Sequence, residues 1–397
     1  MQKPCEKAVS RAISACPPYG FHAPLPAKLC PKGTKGKYMR KMTICLAGMA
    51  VAASAMVGTA LFGAGGALAQ GGNQGSAGAK AASKIVDIDP KTLPPHNGKI
   101  LPNDPLPYWA FAIATHPWPP QDPNEKRTLK GSKKTFTTAQ VNDRWNVPDW
   151  FPETHPKMPT IVEHGRKPEV SACGFCHLPN GQGKPENHSV AGMSANYIVQ
   201  QVKDMREGTR KSSTNRMGSI NSMLKIARHS NDAEVRIAGE YFAKIKYKKW
   251  IRVVETDTVP KTDIDRRNML IVVPGPREPI GKRIIETPED EHAIDSRGSA
   301  IGFVAYVPRG SIARGKKLVE TGAGGFPCAA CHGPDFKGNG DIPPLAGRSP
   351  SQMTRQLYDF KTGARNGAGA AMMKPQVEKM TADQRIDIVA YLSSLNP

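Results

Sequence analysis

The segment Cys173-Gly174-Phe175-Cys176-His177 returns 155 residues later as Cys328-Ala329-Ala330-Cys331-His332. No other feature constrains the chain so tightly, because two cysteines three positions apart with a histidine directly after them serve few chemistries. The spacing suits a redox dithiol, half of a zinc site, or covalent haem attachment through two thioethers with the histidine on iron. A redox dithiol belongs in a βαβ setting, whereas the flanking sequence here is helical with Gly/Pro-rich loops. A structural zinc requires four ligands, and each repeat offers two cysteines beside a histidine that does not easily join the same tetrahedron. The motifs therefore read as two c-type haem sites. Cys173, Cys176, Cys328 and Cys331 are the expected covalent anchors, and His177 and His332 the expected proximal iron ligands.

The repetition extends well beyond the cysteines. "AGMSANYIVQQVKDMREGTR" (191–210) aligns with "AGRSPSQMTRQLYDFKTGAR" (346–365) at the same offset, and both place apolar residues at helical spacing. Each copy then ends in a helical pattern, 231–245 and 381–395, opened by an N-cap residue, Asn231 or Thr381, and carrying Tyr241 or Tyr391. A repeat of this length signals duplicated domains at 161–249 and 311–397, not a solenoid. Both copies place a methionine eight residues before the terminal cap: Met223 and Met373. A thioether at a repeated register is the expected sixth iron ligand, and His/Met ligation raises a haem's reduction potential. Met217 and Met372 are nearby but out of register, so they rank second. Arg210 and Arg365 occupy matching positions and suit either haem propionates or a solvated loop.

Charge and composition organise the remainder. The chain has 397 residues and a formal charge of +21, with 38 Gly and 36 Pro, which favours several small cores over one large one. The first 69 residues hold nine Lys/Arg, one Glu and half of the cysteines, and no charged residue lies between Thr43 and Ala79. A basic stretch, an apolar run and Ala67-Leu68-Ala69 form the pattern of a secretory signal, with cleavage expected after Ala69, a true start at Met39 or Met42, and an uncleaved anchor as the alternative. Export leaves only the four motif cysteines in the mature chain. A Gly/Ala/Ser-rich leader (70–84) and an irregular Pro/Trp-rich arm (85–160) complete the 70–160 segment; His116 and His155 in it read as loop residues and not ligands. Between the copies, 250–310 carries β-branched runs between Pro/Gly breaks, the mark of a short-stranded insert.

With these residues in view, 161–249 and 311–397 resemble class I cytochromes c, and their tandem order resembles the dihaem cytochrome c-four group. The resemblance implies a mainly α fold: two tandem class I cytochrome c helical domains, with the irregular Pro/Trp-rich N-terminal arm and the short-stranded insert left over. It implies a first helix before each motif, supplied by 161–166 and 313–322, crossing a terminal helix near Tyr241 or Tyr391. It also implies that the carbonyl of Pro344 orients His332, where the first copy has Ser189. The implied cofactors are two covalently bound c-type haems, and the implied role is a periplasmic carrier of single electrons between a dehydrogenase-type donor and a respiratory acceptor, not an enzyme. The cytochrome subunit of a periplasmic dehydrogenase complex is the alternative, and a dihaem peroxidase-like enzyme ranks behind it. Expected partners are redox proteins with acidic docking surfaces. Nucleic acid is not among them, because the Lys/Arg residues lack interleaved aromatics, and membrane contact is expected only through an uncleaved 43–69 segment.

Overall fold

Residues 97–397 are described in the computed structural model, so the expected signal, the leader and the start of the arm lie outside the described residues. Prolines and buried aromatics dominate the first part, and regular structure is correspondingly brief. A hairpin pairs β1 (Lys126–Thr128) with β2 (Thr135–Thr137), and one helical turn, α1 (Thr138–Val141), follows. α1 starts where it does because the Thr137 hydroxyl accepts from Gln140 N–H while the Gln140 side chain accepts from Thr137 N–H, a reciprocal cap.

The first copy contributes α2 (Thr160–Glu163), α3 (Cys173–His177), α4 (Ala195–Arg206), α5 (Gly218–His229) and α6 (Asp232–Ala243). After it come seven short strands: β3 (Ile251–Thr256), β4 (Thr258–Val259), β5 (Thr262–Ile264), β6 (Leu270–Val272), β7 (Glu278–Pro279), β8 (Ile285–Pro288) and β9 (Phe303–Pro308). A short helix, α7 (Glu291–Asp295), separates the last two. The second copy supplies α8 (Ser311–Thr321), α9 (Ala329–His332), α10 (Pro350–Thr362), α11 (Ala370–Glu378) and α12 (Ala382–Ser394). Among the described residues no helix is long and apolar enough to cross a membrane.

Matching residues cap matching helices. Ser194 opens α4 and Ser349 opens α10, each hydroxyl accepting a backbone N–H three residues on. Asn231 with Glu234, and Thr381 with Gln384, form reciprocal caps on α6 and α12, at the two positions the sequence pattern selected. The first helices are not alike. α8 runs eleven residues, but α2 is a single turn of four, held between Pro159 and Gly165, whose φ is +66°. The expected helix over 161–166 is thus one turn that begins at Thr160. α8 crosses α12 at Gly315, where any Cβ would collide with the Asp387 carbonyl.

In the insert, β9 is central, parallel to β3 on one side and antiparallel to β8 on the other, while β4 with β7 and β5 with β6 form two small antiparallel pairs. β8 is buried along its whole length and β9 nearly so. Phe303, Ala305 and Val307 are fully buried in a core that also contains Leu178, Phe242, Val319 and Val389, so strands and both helical copies share one apolar interior. The arm is fastened to this body by polar contacts as well. Asp104 bonds Arg385 on α12 through both carboxylate oxygens, at 2.7 and 3.0 Å, and Lys361 at 3.1 Å. The buried Trp150 indole donates to the Ser296 carbonyl at 2.7 Å.

Candidate functional site

Each Cys-x-x-Cys-His motif forms one short helix and then turns sharply. The residue after the histidine takes positive φ in both copies, +66° at Leu178 and +82° at Gly333. Glycine accommodates that conformation without strain; Leu178 adopts it while fully buried, so packing of its side chain outweighs the backbone cost. The loops that follow repeat their hydrogen bonds at the 155-residue offset. Gly183 N–H donates to the His177 carbonyl at 3.0 Å, and Gly338 N–H to the His332 carbonyl at 2.9 Å. Val190 and Ala191 donate to Gly181 just as Leu345 and Ala346 donate to Phe336.

These loops orient the histidines. His177 Nδ1 lies 2.7 Å from the His188 carbonyl, and His332 Nδ1 lies 2.8 Å from the Pro343 carbonyl. Donation from Nδ1 fixes the tautomer and leaves Nε2 as a free lone pair, the arrangement used by metal-bound histidines. The expected acceptor, Pro344, is displaced by one residue: Pro343 supplies the carbonyl. Because a backbone carbonyl accepts the bond, His188 takes the corresponding place in the first copy, and neither Ser189 nor Pro344 at the next position enters the contact. Burial pushes both imidazoles below their ordinary value, which favours the neutral form. Burial also pushes the Cys173 thiol up to about 12 and raises Cys328. Such thiols lack the thiolate character of a redox dithiol. All four motif cysteines are free, and among the described residues no group of three or more His, Cys, Asp or Glu is placed to hold a metal ion.

A largely apolar pocket opens beside the first motif. It is lined by Cys173, Cys176 and His177 together with Met217 and Met223. Met223 lies half-buried inside α5, packed with Val202, Met205 and Val235. Met217 precedes α5, is 2% exposed and packs with Phe111 and Tyr358. In the second copy the pair separates cleanly: Met373 packs against the main core, and Met372 is 59% exposed. His155 and His116 stand apart from both motifs, His155 between Asp149 and the Tyr241 hydroxyl, His116 near Asp263.

Arg210 and Arg365 are buried, not solvated. Their backbones pair in an antiparallel bridge that joins the two copies, and their guanidinium groups share two glutamines. Arg210 donates to Gln201 at 2.9 Å and Gln356 at 3.2 Å; Arg365 donates to Gln356 at 3.0 Å and Gln201 at 2.7 Å. Burial, and then the neighbouring Arg365 charge, push Arg210 down to about 10. Burial alone would raise the Tyr197 phenol, but the two arginines outweigh it and hold it below its ordinary value. Neither arginine has a carboxylate in ion-pair contact among the described residues. Close by, the buried Arg348 Nε and His188 Nδ1 have no partner. A buried cationic cluster short of anions fits the propionates of bound haem. Gln201 and Gln356 were legible in the aligned repeats, ten positions into each. Arg348 was not, because the first copy has Met193 there.

The cytochrome c family profile matches residues 312–396. Cytochrome c4 of Azotobacter vinelandii is 24% identical over 234 residues, covering 57% of this chain and 86% of that protein. Cytochrome c-554(548) of Halomonas halodenitrificans is 37% identical over 68 residues, 17% of this chain and 82% of that protein. A thiosulfate dehydrogenase electron acceptor of Stutzerimonas stutzeri is 37% identical over 81 residues, 20% of this chain and 35% of that protein. The chain belongs to the cytochrome c family, resembles its dihaem c4 members, and carries two covalently bound c-type haems for electron transfer.

Proposed function

We propose that this protein is an exported, periplasmic dihaem carrier that takes single electrons from a dehydrogenase-type donor and passes them to a respiratory acceptor. Cys173 and Cys176 hold the first haem and Cys328 and Cys331 the second. His177 and Met223 would ligate the first iron, and His332 and Met373 the second. Each haem, when bound, supplies a one-electron iron couple. The chain's own residues would hold both ligands of each iron: the His188 and Pro343 carbonyls fix the imidazoles in one orientation, and Met223 and Met373 are packed against neighbouring apolar clusters. A site with both ligands fixed changes oxidation state with little rearrangement, which suits a carrier. Arg210 and Arg365 neutralise propionates where the copies meet.

The observation that carries this reading is the duplication itself, down to the loop hydrogen bonds that fix each histidine. A dehydrogenase subunit is the second reading, prompted by the similarity to a thiosulfate dehydrogenase electron acceptor. It is weakened because the arm and insert spend their contacts on the chain's own body. The test is an optical spectrum of the matured protein, oxidised and reduced, with and without carbon monoxide. Two haems per chain, a Met–Fe(III) band and no response to carbon monoxide are expected. A shift in half of the haem would mean an open iron and a ligand-binding enzyme.

A further inference from the structure

Arg297, in the insert just after α7, has no counterpart in either repeat. It takes φ of +57°, in the left-handed region that favours glycine, and is 8% exposed. Its Nε donates to the Val141 carbonyl at the end of α1 (3.0 Å), and its Nη1 donates to the Phe175 carbonyl inside the first motif (2.9 Å). The guanidinium carbon lies 3.4 Å from the centroid of the Phe175 ring. One side chain thus ties arm, insert and attachment helix together. The Arg144 guanidinium carbon stands 5.9 Å from the centroid of the same ring, and the Arg144 carbonyl accepts from Ala172 N–H at 3.0 Å. The two residues between the cysteines, Gly174 and Phe175, are therefore buried. Their counterparts Ala329 and Ala330 are half-buried and exposed.

Arg297 makes no ion pair among the described residues; its partners are two carbonyls and a ring. A buried cation without a direct ion-pair partner is costly to keep, and its bond to the Phe175 carbonyl places this one beside the residue that precedes Cys176. Burial, then the Arg267 charge, push it down to about 10, which leaves it cationic at neutral pH. A fixed positive charge beside an iron site disfavours the oxidation state with the extra positive charge.

We propose that Arg297 is a positioning residue that clamps the first Cys-x-x-Cys-His helix and, through its fixed charge, selectively favours Fe(II) at the first haem. Among the described residues the second motif has no such clamp, so the insert makes two otherwise duplicated sites electronically unequal. The proposal rests on Cys173, Cys176 and His177 forming a haem site. A parent protein without covalent haem there would sink that reading and leave the clamp without a purpose.

The test is a potentiometric titration of the holoprotein, with the two midpoints assigned by Met373→Ala, which moves only the second. Arg297→Gln should lower the Fe(II)/Fe(III) ratio at the first haem on the order of tenfold, 59 mV for a one-electron couple, and leave the second midpoint in place. Arg297→Lys should stay near the parent because the charge remains. If Arg297→Gln fails to mature with two haems, Arg297→Met, which fills the space with an apolar chain, takes its place and should show the same shift. An unchanged first midpoint in the neutral variants overturns the proposal. So does a fall in Arg297→Lys as large as in Arg297→Gln, which would make the role geometric alone.

Discussion

His177 and His332 owe their orientation to carbonyl groups, and this explains why the two sites survive different neighbouring side chains. Any residue at 188 or 343 presents a carbonyl, so histidine and proline are interchangeable for this purpose. The methionines proposed as iron ligands are different, because only the side chain can bind iron. Met223 and Met217 line the same pocket, but only Met223 shares the register of Met373. Met223→Ala should abolish the Met–Fe(III) band of one haem and lower its midpoint, whereas Met217→Ala should retain the band and lose stability by roughly 2–5 kcal/mol from the cavity left beside Phe111 and Tyr358. Spectra and chemical denaturation of the two variants separate these outcomes; loss of the band in Met217→Ala alone would exchange the assignments.

At the scale of elements, the copies use one plan with unequal parts. The terminal helices α6 and α12 have equivalent reciprocal caps, and α4 and α10 begin with equivalent serines. The first helices differ: α8 is long and crosses α12 so closely that position 315 admits only glycine. Gly315→Ala forces the helices apart and should destabilise the second copy by about 1–3 kcal/mol or more, read as a lower denaturation midpoint with the first haem's spectrum unchanged. In the first copy α2 is a single turn, and the arm and insert supply packing around the motif instead, through Val141, Arg144 and Arg297. Repeats of period 155 disclosed the shared plan; the substitution of an insert for a helix left no periodic trace.

For the whole molecule, the arm is held by a buried charge cluster. Burial alone would push Asp104 up, but Arg385 and then Lys361 outweigh it and hold the carboxyl below its ordinary 3.8. A depressed folded value means that stability is present above the unfolded value and is lost as pH falls through the folded one. The arm should therefore stay docked at neutral pH and loosen in acid below about pH 4. Asp104→Asn leaves Arg385 and Lys361 unpaired and should cost about 3–5 kcal/mol. Limited proteolysis near residues 97–110 at neutral pH would detect the loosened arm in the variant, and the parent should match it only in acid. Equal protection of both proteins at neutral pH would mean that apolar contacts such as Phe111 against Tyr358 hold the arm without the ions.

Chemistry that depends on short spacing was readable from the chain alone. Two thiols and an imidazole must lie within five residues to serve one haem, so the motifs, their duplication, the terminal caps at Asn231 and Thr381, and the register of Met223 with Met373 were all written locally. The tertiary structure decided what depends on distant segments meeting. Only folding buries Arg210 against Arg365 with Gln201 and Gln356 between them, chooses the Pro343 carbonyl over that of Pro344, and turns Met372 outward while Met373 faces in. Only folding lays Arg297 on Phe175, 122 residues away. A single side chain brought by an insert has no period, cap or motif to announce it, because its partners are backbone carbonyls that every sequence possesses.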